Sequence, residues 1–208
     1  MNIRLFFAAF CLLFFGTMSA QENIMHTNIG TLTIHPIQHA SLVLSVSGKN
    51  IYVDPVGGAD AFKGSGSPDL VIITDIHGDH FDEKTIDALK KPSTVVVVPK
   101  AVADQMKGDK KGVVIMNNGD KTKQIGFDIT ALPMYNLPET ADSKHPKGRG
   151  NGYVINAGGK NIYISGDTED IPEMRALKNI DLAFVCMNLP YTMDINQAAS
   201  AVLAFRPK

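Results

Sequence analysis

Four potential metal ligands, Asp75, His77, Asp79 and His80, lie within six residues of one another, at the end of the apolar run Val71-Ile72-Ile73. Such a knot of carboxylates and imidazoles is not placed there for packing. An unpaired carboxylate in a protein interior costs several kcal/mol or is forced to neutralise. A divalent cation answers that cost directly, because neutral imidazole and carboxylate are the ligands that zinc and similar first-row ions take.

The elements that must position this knot can be read from pattern. Leu70–Ile73 is a β-branched run bounded by Pro68-Asp69 and reads as a buried strand. It delivers the four side chains to its C-terminal end, where layered α/β proteins carry their chemistry. A helix over Glu83–Lys90 follows at once. Upstream, Thr31–Ile34, Ser41–Val46 and Ile51–Val53 are strand-like and joined by short turns, which predicts an antiparallel meander. The segment Val56–Pro68 holds four glycines and reads as a loop bordering a pocket. Downstream the pattern predicts strands over Thr94–Val98, Val113–Met116, Lys123–Gly126 and Asp128–Leu132, with a short helix near Ala101–Met106. Pro133–Gly152 reads as irregular. A hairpin of Tyr153–Ala157 and Asn161–Ser165, a helix at Pro172–Leu177, a strand at Asp181–Met187 and a helix at Ile195–Phe205 complete the chain. Hairpins mixed with strand–helix units predict an α/β (α+β) arrangement of two packed sheets flanked by helices.

Composition narrows the function classes. A formal net charge of -1 gives no basis for nucleic acid or an anionic membrane as partner, and a small-molecule substrate is the expectation. Residues 1–20 have one arginine, an apolar run over Leu5–Phe15, and small residues around Gly16–Ala20. That is the form of a secretory signal peptide, too short for a membrane span of roughly 20 apolar residues. A periplasmic or secreted domain over residues 21–208 is expected, with no stable span after cleavage and an oligomeric state that the sequence leaves open. Apart from Cys11 in the leader, Cys186 is the only cysteine, which leaves no intrachain disulfide. Its apolar neighbours Leu182–Met187 make it a structural thiol rather than a nucleophile.

Asp75-Ile76-His77-Gly78-Asp79-His80 resembles the His-x-His-x-Asp-His signature of the metallo-β-lactamase fold, with aspartate at the first position. His39-Ala40-Ser41, Asp54-Pro55, His145 ahead of a glycine-rich turn, and Ile164-Ser165-Gly166-Asp167-Thr168 resemble segments of its lactonase-like and phosphodiesterase-like hydrolases, in the same order. The resemblance implies an αββα sandwich. It implies one metal on His77 and His145, with Asp75 in place of the first histidine, and a second on Asp79 and His80, with Asp167 bridging. Asp79 would also orient a water and accept its proton. One or two zinc ions are implied, with manganese or iron as alternatives. In the family a further strand after the last helix supplies a final histidine, so a sandwich lacking its C-terminal strand is expected of a chain ending at Lys208.

Each residue also has a plainer role open to it. His77 and His80 could be hydrogen-bonded loop histidines, Asp75 and Asp167 turn residues, and His145 a solvated loop histidine. Asp54-Pro55 reads as a turn supporting the metal loop. His39, Arg149 and Tyr191 are candidates for the substrate pocket, Arg149 through its planar fork. An aspartate at position 75 is expected to add negative charge beside the metal. The activity expected is exported hydrolysis of an ester, lactone or phosphodiester by a metal-held hydroxide. The alternatives are a metal-binding protein without turnover and a mononuclear iron oxygenase.

Overall fold

The protein was analysed as a computed structural model, which describes residues 23–140 and 142–208. The expected signal peptide and Cys11 lie outside the described residues. Two sheets face each other. The first has seven strands in the order β1 (Ile24–Thr27), β2 (Gly30–Gln38), β3 (Ser41–Val46), β4 (Lys49–Val53), β5 (Leu70–Ile72), β6 (Val95–Pro99), β7 (Val113–Met116). The second has five, in the order β12 (Leu182–Phe184), β11 (Lys160–Ile164), β10 (Gly150–Ala157), β9 (Phe127–Met134), β8 (Lys121–Gln124).

The alternation of side chains along β5 explains why its run is apolar throughout. Leu70 and Ile72 point between the sheets, where they meet Ile129, Tyr153 and Ile155 of the second sheet. Val71 and Ile73 point to the opposite face, against Ile86 of α1 (Glu83–Leu89) and Val102 of α2 (Lys100–Gln105). A strand covered on both faces cannot alternate in polarity, and parallel pairing goes with that burial. On the outer face of the second sheet, Tyr163 packs with Met174 of α3 (Pro172–Arg175) and with Ala201 and Phe205 of α4 (Ile195–Phe205). The layers are therefore helix, sheet, sheet, helix, the αββα sandwich.

Local chemistry sets the helix starts. The Asp82 side chain accepts from Lys84 N at 3.1 Å and from the Thr85 hydroxyl, so α1 begins straight after the ligand-bearing loop. At α4, Asp194 and Gln197 form a reciprocal capping box.

The expected meander is antiparallel through β2, β3 and β4, as the pattern predicted, and β4, β5, β6 and β7 then pair in parallel. Several sequence expectations need correction. Strand β1 was not anticipated, because its Ile24-Met25-His26-Thr27 has too little apolar content to stand out; β2 recruits it as an edge. The strand expected over Lys123–Gly126 lies earlier, at Lys121–Gln124, since Ile125 and Gly126 both take positive φ and form the turn into β9. The irregular segment is shorter than Pro133–Gly152, because β9 runs to Met134 and β10 begins at Gly150. The last strand is confined to Leu182–Phe184.

Candidate metal centre

Every chemistry-bearing side chain comes from a loop at one edge of the two sheets. His39 is in the turn between β2 and β3, Asp54 follows β4, and Asp75 to His80 follow β5. His145 and Arg149 precede β10, and Asp167 follows β11. Gly166 has a positive φ of 60°, and a Cβ there would come 2.6 Å from Met134 Sδ. Only glycine lets that strand end turn tightly enough to present Asp167. Gly150 is equally constrained, since a Cβ would lie 2.7 Å from the Thr74 carbonyl oxygen. The amide of Asn151 donates to that same oxygen at 2.9 Å, which docks the start of β10 beside Asp75.

Asp167 sits between two imidazoles. Its Oδ2 lies 3.3 Å from His80 Nε2 and 3.2 Å from His145 Nε2. Neither approach is aligned as a hydrogen bond, and among the described residues both buried nitrogens have no hydrogen-bond partner. The far nitrogen of each ring is fixed. His80 Nδ1 is 2.8 Å from Asp54 Oδ2 and 2.9 Å from the Thr74 hydroxyl. His145 Nδ1 is 3.2 Å from Asn136 Oδ1. The outward contacts of Nδ1 turn each Nε2 toward Asp167, where it would ligate a cation once unprotonated, as in carboxylate–histidine–metal arrangements.

The remaining groups fall on either side of Asp167. Asp75, His77 and His145 each offer a donor atom within 4.8 Å of the others, as do His39, Asp79 and His80. On the first side His77 Nδ1 is 2.8 Å from Asp75 Oδ2, and His145 Nε2 is 3.8 Å from it. On the second side His39 Nε2 is 3.0 Å from Asp79 Oδ2, which is 3.9 Å from His80 Nε2. Buried imidazole nitrogens without hydrogen-bond partners, gathered with carboxylates, are a donor set that fits divalent cations, whose binding would displace any proton on Nε2.

The candidate residues are thus brought together, with three differences from expectation. His39 is against Asp79 within the donor cluster rather than only on a pocket wall. The Arg149 fork is taken up by Asp75, with Nε 3.1 Å from Oδ1 and NH2 2.8 Å from Oδ2, so it is not a free substrate clamp. Tyr191 is half-exposed with Lys144 Nζ 5.6 Å from its ring centroid, and only its carbonyl reaches inward, accepting from Asn136. Asp54 accepts from Thr74 N and its hydroxyl as well as facing His80, which is the supporting turn. Asn136 was missed, because nothing in Tyr135-Asn136-Leu137 signals that a distant histidine will need an acceptor. Cys186 Sγ donates to the Thr168 carbonyl at 3.2 Å, and burial pushes its thiol up, away from a reactive thiolate.

The electrostatics give a pH prediction for the metal-free protein. Burial opposes charge on His80, but Asp54 and Asp167 raise its pKa to about 11. Burial pushes Asp54 up as well, against His80 and Thr74, whose contacts lower it. Burial would also raise Asp167, yet His145 and His80 hold it well below the usual carboxylate range. A raised histidine contributes stability that is complete below its unfolded pKa of about 6.5 and lost as pH climbs toward 11. The depressed Asp167 contributes above about pH 4, and that contribution is lost on acidification. Chelator-treated protein should therefore melt highest between about pH 4 and 6.5, with a midpoint that falls steadily from pH 7 to 11. Thermal unfolding across that range checks it. An alkaline limb that is flat up to pH 11 would contradict the buried His80–Asp54 pair.

The chain is similar to known proteins in sequence and in fold. The family model described as "Beta-lactamase superfamily domain" matches residues 33–208. A UPF0173 metal-dependent hydrolase of Thermus thermophilus is 31% identical over 176 residues, covering 82% of this chain and 77% of its own. One from Pyrococcus furiosus is 31% identical over 184 residues, covering 82% and 78%. Among solved structures, a candidate metal-dependent hydrolase from Parabacteroides distasonis aligns with a TM-score of 0.82 at 39% identity, covering 90% of this chain and 84% of its own. A metallo hydrolase of Ignicoccus hospitalis shares the fold, with a TM-score of 0.69 at 24% identity over 85% of this chain and 79% of its own.

Proposed function

Taking as premise that the chain belongs to the β-lactamase superfamily and is a metal-dependent hydrolase, we propose that it is exported and cleaves an ester, lactone or phosphodiester. One observation carries the metal reading: the buried, partnerless Nε2 atoms of His80 and His145 on either side of Asp167. Asp75, His77 and His145 would hold one cation, His39, Asp79 and His80 another, and Asp167 would touch both. The mixed imidazole and carboxylate set takes zinc, and it also accepts manganese or iron.

A bound divalent cation supplies Lewis acidity and acidifies a water molecule. The chain's own groups do the rest. Asp54 and Asn136 keep the two imidazoles turned inward. Asp79 is half-exposed at the mouth of the cluster, where its carboxylate can orient water and take up a proton. Beside it lies a cavity of about 460 Å³ whose walls include Leu42, Ile164, Phe184 and Met187 along with His80 and Asp167. An apolar substituent on the substrate would lie against those walls with its scissile group at the metal edge. Nothing in this wall selects a β-lactam.

The test is to load purified protein with zinc, manganese or iron and assay p-nitrophenyl acetate, bis-p-nitrophenyl phosphate and a simple lactone. Turnover of at least one, lost on chelation and restored by metal, is expected. Full metal loading without turnover would favour a metal-binding protein instead, and oxygen uptake by the iron form would favour an oxygenase. Export is supported by the composition of residues 1–20 and is checked by fractionating cells that produce the full chain.

A further inference from the structure

The Asp75 carboxylate is fully buried, and both of its oxygens are occupied by one guanidinium. That oxygen pair also faces His77 Nδ1 at 2.8 Å and His145 Nε2 at 3.8 Å. The arginine itself is only about one-fifth exposed, with NH2 3.4 Å from His77 Nε2. Its position follows from the glycines beside it. Gly148 has a φ of 84°, Arg149 N donates to the Pro146 carbonyl, and Gly150 packs against Thr74 where no Cβ fits. The loop therefore seats the guanidinium on the Asp75 carboxylate, with Nη2 sharing the Oδ2 that faces His77 and His145.

We infer that Asp75 and Arg149 act together as one uncharged ligand unit for the first cation, the arginine serving as a positioning residue rather than a substrate clamp. The inference rests on the metal reading above. A carboxylate oxygen has two lone pairs, so Oδ2 can accept from Arg149 NH2 and still offer an electron pair toward His77 and His145. The fork holds the carboxylate plane in two directions, which a lysine could not do. It also cancels the negative charge that aspartate brings to this position. The negative charge expected of Asp75 is thereby matched by the guanidinium, and the net charge of the pair equals that of a neutral imidazole.

Charge logic fixes the sign of the test. Asp75→His leaves an unpaired guanidinium beside a divalent cation, whereas Asp75→His with Arg149→Met restores a neutral site. Zinc uptake by the metal-free full chain is measured against a chromophoric chelator, with folding monitored by circular dichroism. Wild type should take up two equivalents. Asp75→His should weaken the first-site equivalent by about tenfold or more, and adding Arg149→Met should recover most of that loss. If the histidine does not fit, Asp75→Asn alone and with Arg149→Met gives the same comparison with an isosteric side chain. Failure of Arg149→Met to improve binding in either neutral-75 background would overturn the pairing. So would a wild type holding one equivalent that rises to two on Arg149→Met, since the arginine would then be excluding the cation. A wild type that takes up no zinc, manganese or iron sinks the metal reading itself, and is distinguishable from either result.

Discussion

Asp54→Ala should weaken zinc uptake by about 10- to 100-fold and, in the metal-free protein, lower folding stability by about 3–5 kcal/mol. Asp54 never faces the proposed cations, so both effects pass through its neighbours. Asp54 and His80 are each only 1% exposed, and Asp54 accepts from the Thr74 amide and hydroxyl while facing His80 Nδ1. Removing the carboxylate leaves the imidazolium with Asp167 as its one close counter-charge among the described residues, and leaves the Thr74 amide and hydroxyl without their acceptor. Breaking a buried pair by deleting one partner is among the costliest single changes, because no water can replace it. It also frees the His80 ring to rotate, so that Nε2 is no longer held toward Asp167. Chemical denaturation of the chelated variant and zinc competition read the two losses separately. A variant as stable as wild type would show that Asp54 is not the group holding His80.

Asp167→Asn should have the opposite division of effects. Among the described residues its Oδ2 is the only carboxylate oxygen within 3.3 Å of both partnerless nitrogens, so amide substitution removes charge from the point where the two sides of the centre meet. Zinc affinity should fall by more than about 100-fold, beyond what an outer-shell change costs, and any hydrolysis of the model substrates should disappear. Stability of the chelated protein should change less than in Asp54→Ala, because the amide keeps the volume and one acceptor oxygen. Metal analysis after dialysis, together with the ester and phosphodiester assays, decides it. Retention of two tightly held metals in Asp167→Asn would remove this residue from the shared position.

The sandwich was legible because its signals are local: an all-apolar β5, glycine turns between hairpin strands, and helix-like segments such as Ile195–Phe205. Edge strand β1 was not, since its formation depends on the free hydrogen-bonding groups of β2 rather than on its own residues. The knot after β5 announced metal chemistry because four ligating types fall within six residues, a density that packing alone would not select.

What the sequence determined by itself, then, is the kind of chemistry and the strand that delivers it: residue type and short-range spacing fix which groups can ligate and which face is buried. What only the tertiary structure decided is which group meets which. Arg149 lies 74 positions from Asp75, His80 lies 26 from Asp54, and His39 reaches Asp79 across a sheet edge. None of those pairings has a local signature. They exist because parallel strands and glycine-tight turns bring loops from distant parts of the chain to one edge. There, charge and lone-pair direction, rather than order in the sequence, settle whether a side chain serves as ligand, counter-charge or support.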